Sequence, residues 1–350
     1  MRRGHRITLT AAVATVSLLV LAGPAAACGA LLGADGTIEL GRTTTLSAYT
    51  DGVQRYVTAF EFTGEGEEVG SIVPLPDVPT DVERGGDWTL QRLALEVAPP
   101  AREQLAVDVD DTIEAASAEV LLETEVDALD LTVLRGGADE VGRWASDNGF
   151  FLSPDAPEML DFYADRSEIF LAATFDASRA DDLDQQAGTS TPIMLTIPTD
   201  RPWVPLRILS LGAEDSQVVE ADVFLLTDAE PQLLAGGDGL ALDRSGPASR
   251  ELLDDLRSDE GMDWLPRDMW LTYLRLDTPA GELDYDLAVS VDPEVRPTLA
   301  DAGVLTAAAG PPVVPGEALA RWPWALGLAG GGLVLGAALL PRWLGREGQA

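Results

Sequence analysis

Two hydrophobic stretches at opposite ends of a strongly acidic chain constrain this sequence more than any other feature. The first follows Arg2, Arg3 and Arg6, runs uncharged through residues 7–22, and ends in Gly23, Pro24, Ala25, Ala26 and Ala27. A charged lead, an apolar centre and an Ala-x-Ala end are the pattern of a secretory signal over residues 1–27. Cleavage after Ala27 leaves Cys28 as the first mature residue. The run is short for a spanning helix and ends in Gly-Pro, which argues against a retained anchor.

The second stretch, residues 322–341, carries no charge between Arg321 and Arg342. About 20 helical residues span the roughly 30 Å of bilayer hydrocarbon, so a C-terminal transmembrane helix is expected. Trp322 and Trp324 at one end and Trp343 at the other suit the two interfaces, and Arg342 and Arg346 follow the span. Positive-inside bias then puts the tail, 342–350, in the cytoplasm and the preceding chain outside. A buried soluble helix is the competing reading, but Gly327, Gly330, Gly331 and Gly332 would make a poor one. Gly327-x-x-x-Gly331 and Gly332-x-x-x-Gly336 let two such helices approach closely, so a homodimer through this span is one expectation; the other is that Gly is common in membrane helices.

Cys28 admits three readings. Lipidation normally follows a Leu-containing lipobox, which Ala25-Ala26-Ala27 lacks; cross-linking of two chains and a simple free terminal residue remain.

The chain between the ends excludes much chemistry. All 23 basic residues are Arg against 59 Asp and Glu, a formal charge of -36, and the single His, His5, leaves with the signal. So acidic a surface repels phosphate backbones, so no nucleic acid partner is expected. Without His in the mature chain, Ser-His-Asp and Cys-His catalysis is unavailable. Without Lys there is neither a Walker loop nor a Schiff base, and one Cys without His cannot build a zinc site. Only carboxylates or Tyr remain for acid–base work, and no pair of acids stands out in the sequence. The expectation is a non-catalytic chain with no assigned catalytic, cofactor-binding or metal-ligating residue, and no cofactor.

Two acidic runs need separate treatment. Asp108, Asp110, Asp111, Glu114 and Glu119 have some of the spacing of a calcium loop, but Ile113 stands at the sixth place, where the sharp turn wants Gly. Residues 114–123 read instead as a helix bearing solvated acids. Asp181, Asp182 and Asp184 read as an exposed loop.

Alternating or β-branched runs predict strands at 46–49, 53–62, 69–73, 90–97, 169–175, 193–197, 203–211, 218–226, 270–276 and 285–291. Asp51-Gly52 before the second run is a good hairpin turn. Helices are expected at 114–123, 138–147, 156–166 and 250–258. Short strands with few long crossovers predict an α+β, β-dominant fold with a mainly antiparallel sheet, plus the C-terminal transmembrane helix. The ectodomain is placed at 28–291, with an acidic insertion at about 101–130, as one unit or two meeting there. From 292 to 320 the chain turns Pro/Ala-rich (Pro293, Pro297, Pro311, Pro312, Pro315), a composition for a semi-rigid stalk.

Several segments together resemble the bacterial exported family called domain of unknown function 2330. They are Ala27-Cys28-Gly29; Ser71-Ile72-Val73-Pro74-Leu75-Pro76-Asp77-Val78-Pro79; Trp144-Ala145-Ser146-Asp147-Asn148-Gly149-Phe150, with Tyr163 following; and Pro192-Ile193-Met194-Leu195-Thr196-Ile197-Pro198-Thr199-Asp200-Arg201, running into Val204-Pro205-Leu206-Arg207. The resemblance spans about residues 27–230. Members often carry a second Cys shortly after the first; this chain has none. The resemblance implies export and a shared fold, and no known activity. Physically these segments read as scaffold: Pro74, Pro76 and Pro79 end a strand, Asn148-Gly149 caps a helix, and Trp144 and Phe150 belong to the core.

Three functions compete. The first is a single-pass, membrane-anchored cell-surface module that binds an envelope protein or glycan or organises the bacterial cell envelope. The second is a carboxylate-dependent hydrolase of extracellular glycans, which needs a cleft with two carboxyl groups beside aromatic platforms. The third is a calcium-stabilised adhesion domain.

Overall fold

A computed structural model describes residues 30–33, 42–59, 69–97, 118–183 and 190–304. The first half of the chain contributes strands β1 (Ala30–Gly33), β2 (Thr43–Thr50), β3 (Val53–Thr58), β4 (Val69–Pro74), β5 (Asp81–Arg84), β6 (Glu119–Val126), β7 (Leu129–Arg135) and β8 (Ile169–Phe175). The second half adds β9 (Ile193–Pro198), β10 (Trp203–Val204), β11 (Val218–Thr227), β12 (Gln232–Ala235), β13 (Leu240–Pro247), β14 (Trp270–Pro279) and β15 (Leu287–Ser290). The helices are α1 (Thr89–Val97), α2 (Ala138–Asp147), α3 (Ala156–Ala164), α4 (Ala177–Asp182) and α5 (Arg250–Ser258).

The strands form three sheets. A seven-stranded sheet runs β13-β14-β11-β2-β3-β9-β5, a five-stranded sheet β1-β4-β8-β7-β6, and a small sheet β10-β15-β12. Only β11 and β2 pair in parallel among the described residues, so the β-dominant, antiparallel-rich fold is as the sequence predicts. Asp51 and Gly52 both adopt positive φ, 54° and 75°, the conformation a two-residue β2–β3 hairpin requires.

The alternation of the long strands builds two cores. Tyr56, Ile193, Leu195, Ile197, Val223, Leu225, Leu274 and Leu276 lie on one face of the large sheet and share one continuous buried cluster with the five-stranded sheet, α2, α3 and the small sheet. At Gly70 in β4 the Phe150 ring approaches so closely that an added Cβ would lie 2.6 Å from it; only Gly fits there. The opposite face presents Leu46, Val57, Met194, Phe224 and Leu271, roofed by Leu90 and Leu93 of α1 and Leu252, Leu253 and Leu256 of α5. Each of these fully buried Leu side chains contributes about 1.5–3 kcal/mol relative to exposure.

The structure corrects four local expectations. Residues 90–97 form helix α1, not a strand: Leu90 and Leu93 bury at helical spacing and Leu95 points to solvent. The helix is held from 170 residues away, because the Asp259 carboxylate accepts Asp87 N–H at 3.1 Å, Trp88 N–H at 3.0 Å and the Thr89 hydroxyl at 2.8 Å. Residues 203–211 give only the short β10; Pro205 cannot donate to a ladder, and the chain then closes into a 3-10 turn, Arg207–Ser210. Residues 119–123 belong to β6 rather than a helix, since Val120, Leu122 and Thr124 find partners along β7. Asp182 ends the short helix α4 instead of lying in a loop.

Beyond Val291 the described chain stays attached to the domain: Ala302 is fully buried, its carbonyl accepts Asp286 N–H at 3.0 Å, and Val304 packs on the main core. No helix among the described residues is long and apolar enough to cross a membrane. Residues 1–27, Cys28, most of the acidic insertion and the 322–341 span lie outside the described residues.

Candidate functional site

Two charged assemblies stand out, one closed and one open. The closed one centres on Asp286, which has no exposed side-chain surface. Its Oδ1 accepts the Tyr163 hydroxyl at 2.9 Å and the backbone N–H groups of Leu206 at 2.7 Å and Arg207 at 3.0 Å. Its Oδ2 accepts Nη1 of Arg166, whose Nη2 donates to the Asp301 carbonyl at 2.6 Å. The Arg166 guanidinium also lies 4.3 Å over the Trp203 ring, and that ring stacks on Tyr163. Burial, and then the Asp286 charge, push the Tyr163 phenol well above its ordinary pKa. With donors on both oxygens and no exposed surface, this carboxylate is tied into the fold and out of reach of a substrate. The residues that resemble the family, Tyr163 and Val204 to Arg207, meet here, and their role is to hold the fold.

A small cleft of about 170 Å³ adjoins the node, lined by Asp155, Glu158, Arg207, Asp215 and Asp284 among others, with no aromatic ring. Glu158 pairs with Arg207 at 3.0 Å and Asp155 accepts Gly212 N–H at 3.0 Å, so two of its acids are tied to the scaffold.

The open assembly lies on the helix-covered face of the seven-stranded sheet. Along this face β14 reads Leu271, Tyr273, Arg275, β11 reads Leu226, Phe224, Asp222, Glu220, and β2 reads Ala48, Leu46, Thr44 with Arg42 just before it. The apolar half of each strand lies under α1 and α5; the charged half extends past them. The result is a groove of about 570 Å³ lined by Arg42, Glu96, Val97, Asp243, Arg244, Tyr273 and Arg275. Its volume is in the range of small-molecule sites, and the 170 Å³ cleft falls below that range.

The groove's arginines are not equivalent. Arg42 is fully engaged: Nε and Nη2 grip Asp222 at 2.6 and 2.8 Å, and Nη1 reaches Glu220 at 2.8 Å. That grip raises its pKa above the ordinary arginine value. Tyr273 donates to the same Asp222 at 2.5 Å, and burial followed by this bond raises the phenol pKa. Arg244 uses only Nη1, toward Glu96 at 3.0 Å and its carbonyl at 3.4 Å. Arg275 uses only Nε, toward Asp243 at 2.8 Å. Among the described residues, the remaining donors of Arg244 and Arg275 have no protein acceptor, and both side chains are more than a third exposed.

None of these groove residues is legible as a site in the sequence; the available signal was the switch from apolar to charged residues on one face of three strands. Of the acids singled out in the sequence, Glu119 sits exposed at the start of edge strand β6, and Asp108, Asp110, Asp111, Glu114 and Asp184 lie outside the described residues. Among the described residues no group of three or more potential metal ligands comes together. Trp144 and Phe150 are buried and stacked at 6.2 Å, and Asn148 closes α2 through Trp144 O, as the sequence suggested.

No curated protein matches the chain. Among solved structures, baculovirus P35 is similar at 8% identity over 73% of this chain and 97% of its own, with a TM-score of 0.40. A mutated baculovirus P35 after caspase cleavage is similar at 9% identity over 71% and 99%, with a TM-score of 0.36. Scores of this size establish neither a common function nor a common detailed architecture. The family model described as an uncharacterized protein conserved in bacteria (DUF2330) matches residues 22–229, and the chain belongs to that family.

Proposed function

We propose that this protein is a non-catalytic binding module of the bacterial cell envelope, exported by its N-terminal segment and anchored by the 322–341 span with its tail in the cytoplasm. The observation that carries this reading is the groove. Its ligand-sized wall carries three guanidinium groups, which stay charged at neutral pH and bind without transferring protons. Carboxylates of the same chain hold those groups in place, a preorganised arrangement suited to recognition. The glycan-hydrolase reading has less support: the acidic cleft is small and has no aromatic ring, and in the groove Glu96 is held by Arg92 and Arg244, Asp243 by Arg275, and the Tyr273 hydroxyl by Asp222. The calcium reading rests on acids outside the described residues. The glycine pairs of the span would let two copies associate.

The test uses the detergent-solubilised full chain against fractionated envelope proteins and glycans. Saturable binding at micromolar concentration, with no turnover of the bound material, is expected. Release of reducing sugar ends would overturn the non-catalytic reading, and absence of any binding would overturn the module itself. Protease shaving of intact cells tagged at both ends tests the topology: loss of the ectodomain tag with survival of the tag after Ala350 is the expected outcome.

A further inference from the structure

We propose that the groove between α1, β13 and β14 is an oxyanion-binding site, with Arg244 and Arg275 as the residues that grip a carboxylate, phosphate or sulfate group; this rests on the binding-module reading and names its ligand class. A guanidinium has two edges that can each offer a pair of parallel N–H bonds to a planar or tetrahedral oxyanion. Arg275 is fixed through Nε to Asp243 at 2.8 Å, which leaves its Nη1–Nη2 edge free among the described residues. Arg244 is fixed through Nη1 to Glu96 at 3.0 Å, leaving Nε and Nη2. Each side chain is therefore oriented by one acid and still carries unused donors. Arg42, with each nitrogen bonded to Asp222 or Glu220, fixes Asp222 and through it Tyr273 in the groove wall.

Charge at the groove is close to balanced: Arg42, Arg244 and Arg275 face Glu96 and Asp243, and Arg42 also pairs with Asp222 and Glu220. Attraction for an oxyanion therefore comes from the unused directional donors of Arg244 and Arg275, and screening within about 8 Å at physiological salt weakens the more remote negative charge. The overall charge instead selects the ligand: large polyanions are repelled by the surrounding surface, while a single oxyanion group of small extent experiences mainly the groove. The site's place on the sheet supports the same conclusion. Arg275 and Asp222 are cross-strand partners on β14 and β11, and Arg244 is opposite Tyr273, so the donors ride on paired strands and not on a loop.

The experiment is calorimetric titration of the solubilised full chain with citrate, inorganic phosphate and sulfate, at ionic strength held constant with chloride. Saturable binding of at least one probe is expected. It should weaken about tenfold or more in Arg244→Gln and in Arg275→Gln, the consequence of losing a charged hydrogen-bond donor. Arg143→Gln, on the exposed side of α2, should bind as the parent does. Arg275→Lys keeps the charge without the fork and should lose most of the affinity; full retention would overturn the forked geometry. Unfolding curves in chloride confirm that each variant is folded. No binding of any probe, or equal affinity in the glutamine variants, would overturn the site. Envelope-fraction binding that persists in those variants would overturn the site and leave the module reading standing; oxyanion binding without any envelope-fraction binding would do the reverse.

Discussion

The Asp286 node and the arginine groove are built from the same kinds of side chain and end in opposite states. At the node, the carboxylate, guanidinium and phenol saturate one another in the interior, and every donor named there has an acceptor. In the groove, each of the two outer arginines is held at one edge and open at the other. The difference teaches where charge in this molecule serves the fold and where it is left for a partner. A buried ion must be fully paired, because an uncompensated one costs several kcal/mol, whereas a half-exposed arginine can keep unused donors hydrated at little cost.

Four measurements break or sharpen this contrast. The largest effect should come from Asp286→Ala, which leaves the largely buried Arg166 without its counter-ion and two backbone N–H groups without an acceptor. A loss of about 3–5 kcal/mol is expected in chemical denaturation. Tyr163→Phe removes the donor to Asp286 and the acceptor of Ile208 N–H at 2.9 Å, and should cost about 1–3 kcal/mol. Alkaline pH acts on the same residue. The folded chain holds the Tyr163 proton well above the ordinary pKa of 10.0, so above that pH the unfolded chain binds fewer protons than the native one. Stability should therefore be level in this respect up to about pH 10 and then fall by about 1.4 kcal/mol per pH unit for this group, a slope that Tyr163→Phe removes. The smallest effect belongs to the groove. Arg275→Gln breaks a pair whose partners are 39% and 35% exposed, and should shift stability by less than about 1 kcal/mol while weakening oxyanion binding about tenfold or more. A groove variant that unfolds the protein, or a node variant that does not destabilise it, would erase the distinction.

How far the sequence reveals this molecule depends on whether the determining contact is local. Strand β8 at Ile169–Phe175 and helices α2 and α5 lie where their periodicity places them, because each buries a face whose spacing is written within a few residues. Helix α5 also carries its own cap, Ser249, accepting Leu252 N–H at 3.1 Å. Helix α1 resembles a strand in the sequence because its leucines also fit an alternating pattern and its cap, Asp259, comes from far along the chain. The turn after β10 is hidden for the same kind of reason: the N–H groups of Leu206 and Arg207 go to Asp286, 80 and 79 residues away. Strand β13 has a bulge between Leu242 and Arg244 that breaks its alternation and obscured it.

The groove was the least legible part. Its residues come from the approach to β2, the end of α1, and β13 and β14, and each arginine taken singly is indistinguishable from an ordinary surface charge. The family match assigns these residues no role, and it ends at residue 229, before β13 and β14 begin.

The donors proposed to meet a ligand, those of Arg244 and Arg275, are open, whereas the Arg166 guanidinium is tied into the Asp286 node. Arginine-specific labelling of the solubilised full chain with phenylglyoxal, read residue by residue by mass spectrometry with and without citrate, phosphate or sulfate, tests this contrast directly. The account predicts rapid labelling of Arg244 and Arg275, protection of both by at least one oxyanion, and negligible labelling of Arg166 throughout. Labelling of Arg244 and Arg275 that no oxyanion alters, or ready labelling of Arg166 in the folded chain, would contradict it.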